Sequence, residues 1–224
     1  MILNIETATT NCSVSIAQEG LVVAFKEIAE LNYSHAEQLH VFIQEVLLEA
    51  AISLSDIKAI AVSKGPGSYT GLRIGVSAAK GLCYALNIPL IAIPTLKSLS
   101  LQCQPKAGEV VLPMLDARRM EVYISAYDHK GEELHPTEAK ILEENSLSEW
   151  MASYSKVYFI GSGAQKAFEV HHQSNISVLD TLPSAKEMAG LSFQKYVAKD
   201  FEDVAYFEPY YLKDFMGPIP KKKQ

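Results

Sequence analysis

The segment Ala61 to Leu86, AVSKGPGSYTGLRIGVSAAKGLCYAL, limits what this chain can fold into more than any other. A short apolar strand, Ala59 to Val62, leads into the tight loop Ser63-Lys64-Gly65-Pro66-Gly67-Ser68. Gly65 and Gly67 flank Pro66, so the turn has unusual φ at its glycines and a fixed φ between them. Ser68 or Thr70 is placed to cap the helix that follows. Gly71, Gly75, Ser77, Ala78, Ala79 and Gly81 leave that helix with little bulk on one side. Each interior glycine costs about 1 kcal/mol relative to alanine, so a helix that keeps several of them implies the close approach of another backbone. Leu72, Val76, Ala79, Cys83 and Leu86 form a core face, and Ile74, Ala78, Gly81, Leu82 and Ala85 form a second apolar surface. Only Arg73, Ser77, Lys80 and Tyr84 make a polar stripe. A helix apolar nearly all round is covered on both sides. The second cover is either the chain's own fold or another subunit, and small residues in register suit the latter.

The chain has 224 residues, which suits one large domain or two small ones. Its apolar runs fall short of the roughly 18 residues of a membrane span. The start, Met1-Ile2-Leu3-Asn4-Ile5-Glu6, reads as a strand without the basic region of a leader peptide. The cysteines, Cys12, Cys83 and Cys103, are odd in number and widely spaced, which fits a reducing cytoplasmic setting. A net charge of -6 argues against independent nucleic-acid binding. The basic run Lys221-Lys222-Lys223 reads as a solvated terminus that touches nucleic acid only within a larger assembly.

Along the chain, Ile2 to Glu6 is a strand, Cys12-Val14-Ile16 alternate with Ser13 and Ser15 as a second, and Leu21 to Ile28 is a third. Ser34-His35-Ala36-Glu37 matches a capping box that opens a helix to about Ala51. Its core face is Ala36, Leu39, Ile43, Val46, Leu47 and Ala50, so Val41, Phe42 and Leu48 lie outside it and extend a contact surface. Strand Lys58 to Val62, the small-residue helix, strand Leu90 to Ile93 and a helix from Thr95 to about Gln102 complete the first half. After the linker Pro105 to Gly108 a looser copy begins. It has strands Val110 to Asp116, Glu121 to Tyr127 and Lys156 to Ile160, a helix after Gly161-Ser162-Gly163, and another from Ser184 to about Lys199. Two β-β-β-α-β-α halves, 1–104 and 109–224, offset by roughly 110 residues, predict a duplicated α/β fold. A helix near Leu147 to Met151 is lost or shortened, so the second half is degenerate.

The string SKGPGSYTGLRIGVSAAKGLCYALNIP resembles the signature of the TsaB family. So do MILNIETATTNCSVSI, SHAEQLHVFIQEVL and LPMLDARRMEVY, and the resemblance covers most of the chain. It implies the actin-like, sugar-kinase-like ATPase fold. It also implies the role of a dimerisation subunit in the complex that makes N6-threonylcarbamoyladenosine in tRNA. The implied partners are a TsaD-like catalytic subunit and a TsaE-like ATPase, with tRNA reached only through the complex and no membrane. By the same resemblance, the helices Ser34 to Ala51 and Thr70 to Leu86 pack against the equivalent helices of the partner. The interface set is Val41, Phe42, Leu48, Gly71, Arg73, Ile74, Gly75, Ala78, Gly81 and Leu82. Alone, the same surface gives a homodimer.

Actin-like ATPases hold nucleotide between glycine-rich hairpin corners. The corners here, Glu6-Thr7-Ala8-Thr9-Thr10-Asn11 and Asp116-Ala117-Arg118-Arg119, contain no glycine, so backbone amides are badly aimed at phosphate. The expectation is a chain with no catalytic residue of its own. Lys64, Gly65, Gly67, Thr7, Asp116 and Arg118 are candidates for either a nucleotide-contacting or a structural loop. No cofactor is intrinsic, and ATP or ADP would sit at the interface with the partner, near Lys64 and Arg73. Asp116 pins the second corner and Arg118 bridges the cleft in the structural reading. Lys64 reads first as a solvated loop lysine, and Arg73 and Lys80 equally as solvated helix charges or as partners for acidic groups on another subunit. The family's catalytic relatives carry His-x-x-x-His, whereas His35 and His40 point about 140° apart on a regular helix and cannot share an ion. No metal site is expected, and His35 packs against the glycine loop. Glu208-Pro209-Tyr210-Tyr211-Leu212-Lys213 resembles the family's C-terminal stretch and tacks the tail down through its rings. The competing functions are a stand-alone ATPase or small-molecule kinase of the same fold, and a metallopeptidase, which would need His-Glu-x-x-His.

Overall fold

In the computed structural model, which describes residues 1–29 and 35–213, ten strands and six α-helices alternate along the chain. The first half comprises β1 (Ile2–Glu6), β2 (Asn11–Gln18), β3 (Leu21–Ala29), α1 (His35–Glu49), β4 (Ala59–Gly65), α2 (Tyr69–Leu86), β5 (Leu90–Pro94) and α3 (Thr95–Ser100). The second comprises β6 (Glu109–Asp116), β7 (Glu121–Tyr127), β8 (Glu133–Ile141), α4 (Ser148–Ser153), β9 (Lys156–Ile160), α5 (Ala164–Val170), β10 (Ile176–Leu179) and α6 (Ala185–Ala198). The strands form two five-stranded sheets, ordered β3-β2-β1-β4-β5 and β8-β7-β6-β9-β10. In each, the first three strands are antiparallel and the last two run parallel to the first. Chain order maps one sheet onto the other, so this is the duplicated α/β architecture that the sequence predicts.

The copies differ in size. α1 and α2 have 15 and 18 residues, and their counterparts α4 and α5 have 6 and 7. The helix expected to shrink near Leu147 is therefore present but short. β8 and β10 carry too little apolar alternation to be read from sequence. β8 is a polar edge strand interrupted by Pro136, a composition that edges tolerate. Each half carries one more strand and helix than the six-element plan allows.

β1 and β4 are buried along nearly their whole length, as central parallel strands are. Leu3, Ile5, Val14, Ile16 and Val62 meet Leu39, Ile43 and Val46 of α1 and Val76, Ala79 and Cys83 of α2 in one core. On the opposite face Ile2, Ala59, Ala61, Ile91 and Ile93 meet Ala185 and Met188 of α6. The second sheet packs on α4 and α5 through Leu112, Phe159, Leu147, Met151 and Ala164, and on α3 through Leu96, Leu99, Val111 and Ile160. The two halves have thus exchanged helices: the last helix of each lies against the other's sheet. Ser13 and Ser15, expected on the polar side of a half-buried strand, are instead fully buried beneath α6. Ser13 Oγ accepts from Ala185 N at 2.8 Å and Ser15 Oγ donates to Ala185 O at 2.8 Å. Ala36, expected in the core face of α1, is exposed. The Ser34 cap and the Lys221–Lys223 run lie outside the described residues.

Candidate functional site

The small-residue helix divides into two functional stretches. At its start Ser68 caps the helix, its hydroxyl accepting from Gly71 N at 3.2 Å. A Cβ on Gly71 would stand 2.1 Å from Thr7 O, and one on Gly75 would stand 2.2 Å from Thr7 Oγ1. The backbone that these glycines admit is therefore the chain's own β1–β2 corner. This corrects the expectation that Gly71 and Gly75 face a partner: both are buried. Thr7 Oγ1 donates to Gly71 O at 2.8 Å and Ser68 N donates to Ala8 O at 2.6 Å. His35 lies against Gly71 in the first turn of α2, with Nε2 donating to Thr9 O of the β1–β2 corner at 2.6 Å.

Gly81 is different. A Cβ there would meet nothing within 4 Å among the described residues. Around it Ser77, Tyr84 and Ala85 are exposed, Tyr84 by 86%. Ile74, Ala78 and Leu82 are half-buried on the flank of the first core. On α1, Val41 is exposed, Leu48 is 80% exposed and Phe42 is half-buried. Tyr84 was legible only as polar stripe, because its hydroxyl hides an otherwise apolar exposed ring.

The glycine loop commits the amides of Gly65 and Ser68 internally. Gly65 has φ +109°, and its N–H donates to Thr95 Oγ1 at 3.1 Å. Gly67 serves close approach rather than positive φ: its Cβ would stand 2.4 Å from Ala8 O. Lys64 O accepts from Tyr210 N at 2.6 Å. Gly161 repeats the φ of +109°, and Cβ atoms on Gly161 and Gly163 would crowd Met114. That loop is a strand-to-helix turn pressed on its own hairpin, as Gly65-Pro66-Gly67 is.

The two corners hold their acids differently. Glu6 is fully buried, and its Oε1 accepts from Ala8 N at 2.6 Å and from Ser63 Oγ at 2.8 Å. Its Oε2 has no hydrogen-bond partner among the described residues. Burial pushes the Glu6 carboxyl up to about 7, against the pull of its hydrogen bonds, and Glu187 adds to the rise. Glu187 is itself pushed up by burial. In the second corner Asp116 Oδ1 accepts from Arg118 N at 2.6 Å and from Lys166 Nζ at 2.8 Å. Lys166 also donates to Arg119 O and Glu121 O, each at 2.8 Å. Arg118 and Arg119 adopt φ of 65° and 51°, the left-handed region that a glycine would take more cheaply. Asp116 pins the corner, and the Arg118 side chain is exposed. Lys166 was missed from sequence because nothing in its local pattern points at a loop 45 residues away. Lys80 is neither solvated nor turned to a partner: its Nζ donates to Ala205 O and Phe207 O at 3.1 and 2.9 Å. Arg73 is exposed and lies 4.4 Å from the Tyr69 ring centroid. Cys12, Cys83 and Cys103 are free thiols, and burial raises all of them.

A family model described as TsaD, tRNA N6-adenosine threonylcarbamoyltransferase, matches residues 29–214. The tRNA threonylcarbamoyladenosine biosynthesis protein TsaB of Escherichia coli (strain K12) is 33% identical, covering 95% of this chain and 94% of that one. Its namesake in Bacillus subtilis (strain 168) is 30% identical over 95% and 93%. Among solved structures, YeaZ from Pseudomonas aeruginosa superposes with a TM-score of 0.78 at 28% identity, covering 94% of this chain and 99% of that one. Matches of that length, joined to a duplicated fold whose small-residue helix keeps one bare side, make this chain a member of the TsaB family.

Proposed function

We propose that the chain is the non-catalytic scaffold of an assembly that transfers a threonylcarbamoyl group to N6 of the adenosine beside the tRNA anticodon. Its relatives are named for that biosynthesis, and the family model for that transfer. In this reading α1 and α2 pack against the equivalent helices of a TsaD-like catalytic subunit. A TsaE-like ATPase supplies ATP turnover, and tRNA is engaged only through the complex. ATP or ADP sits at the shared interface near Arg73, and the isolated chain pairs with itself.

The observation that carries this is Gly81. It weakens its helix by about 1 kcal/mol relative to alanine, and no described residue makes use of its missing Cβ. A glycine that serves no contact among the described residues, set among exposed Ser77, Tyr84 and Ala85, fits a helix awaiting a close neighbour. The non-catalytic part is supported by the engaged amides of the β4–α2 loop and by the Asp116–Lys166 pair, which together leave phosphate little to bind.

Light scattering coupled to size exclusion tests the reading on the chain alone and with its own organism's TsaD. A 1:1 mixed species is expected. Gly81→Leu should weaken it by about 10- to 100-fold, the effect of about 1–3 kcal/mol of overpacking, with the fold retained. No mixed species under any nucleotide condition would sink the proposal.

A further inference from the structure

Beyond α6, residues 199–213 run without a helix of their own from the start of β5, past the β4–α2 loop, to the β6–β7 corner. Glu202 N donates to Leu90 O at 2.9 Å, at the start of β5. Val204 and Phe207 then pack on the first core, while Lys80 of α2 holds the carbonyls of Ala205 and Phe207. At the C-terminal end of β4, Tyr210 N donates to Lys64 O. The Tyr210 carbonyl lies so close over Gly65 that a Cβ there would stand 2.7 Å from it. Tyr211 meets Tyr69 with ring centroids 5.0 Å apart, and Arg73 covers the same Tyr69. The segment then crosses to the second half, where Lys213 pairs with Glu121 at the start of β7.

We propose that residues 202–213 form a clasp between the two halves, fixed to the first half along its length and fastened to the second half by the Lys213–Glu121 ion pair. The asymmetry of the contacts defines the device. On the first half the segment is held by backbone hydrogen bonds, a doubly donating lysine and the half-buried Val204 and Phe207. On the second half the described contact is an ion pair whose side chains are 40% and 19% exposed. Partly exposed pairs of this kind are weak and screened by salt. The far end therefore opens and closes while the near end stays seated. What it fastens to is rigid: the Glu121 carbonyl is one of the groups that Lys166 holds, so the clasp engages the braced β6–β7 corner itself. Closed, it links the Gly65-Pro66-Gly67 loop, which is pressed on the first corner at Ala8, to the second corner at Glu121. It also holds Tyr69 and Arg73, the first turn of α2, beside the exposed face of that helix.

Hydrogen exchange on the full-length chain reads the clasp directly, in peptides covering 206–213 and 116–121. At low salt, Glu121→Gln and Lys213→Met should each exchange faster than the parent in both segments, by up to about fivefold. The double variant should be no faster than either single one. Raising salt to about 1 M should bring the parent to the variants' rate and leave the variants unchanged. Lys80→Met should speed exchange in 206–213 at every salt concentration, marking the fixed end. Equal exchange in parent and variants at low salt, or a parent insensitive to salt, would overturn the proposal.

Discussion

Glu6 shows how far one buried side chain can tie the stability of the fold to pH. A carboxyl buried at the tip of β1 keeps its proton at pH values where the unfolded chain has released it. The folded state therefore binds more protons than the unfolded state between about pH 4.5 and 7, and stability falls as pH rises through that window. The shift corresponds to about 3 kcal/mol lost from the acid to the neutral end. Glu6→Gln should remove that slope, which denaturant melts of parent and variant from pH 4.5 to 7.5 would show as diverging curves. The glycines of α2 make a second test at this scale. Gly75→Ala forces a Cβ onto Thr7 Oγ1 and should destabilise by about 1–3 kcal/mol. Gly81→Ala meets nothing among the described residues and should stabilise by about 1 kcal/mol. Thermal melts of the two variants moving in the same direction would contradict this division of the helix.

At the scale of elements, the β6–β7 corner depends on Lys166. Replacing it with methionine leaves the carbonyls of Arg119 and Glu121 without that donor and two left-handed non-glycine residues without their brace. Lys166→Met should cost about 1–3 kcal/mol, and faster amide exchange should be confined to residues 116–121. Whether such features can be read from sequence depends on how local their causes are. Strand alternation in β1 and β2, the Ser68 cap and the apolar periodicity of α1 and α2 are properties of a few neighbouring residues, and they were legible. β8 and β10 were not, because an edge strand with Pro136 and a four-residue strand carry almost no pattern. The candidate site divided the same way. The small-residue helix stood out, but Gly71, Gly75 and Gly81 look identical in sequence. Only the position of Thr7, far away along the chain, separates two internal contacts from an open face. Lys80 reads as a solvated helix charge and Lys166 goes unmarked, because their acceptors include backbone carbonyls of distant loops.

At the scale of the whole molecule, the exchange of α3 and α6 ties the halves together. The strands of each sheet fall within 1–104 or 109–224, but the helix that seals the first sheet comes from the end of the second half. A fragment ending at Gln104 exposes Ile2, Ala59, Ala61, Ile91 and Ile93 together and should aggregate or remain unfolded. Circular dichroism of that fragment, set against one cooperative transition for the intact chain, checks this. The same exchange imposes a schedule on synthesis. A ribosome releases the strands of the first sheet early, yet their apolar underside stays bare until Ala185 and Met188 leave the exit tunnel. The nascent chain must carry an unfinished first half from the completion of β5 at Pro94 until α6, Ala185–Ala198, has emerged, so this protein is a late folder whatever the stability of its finished form.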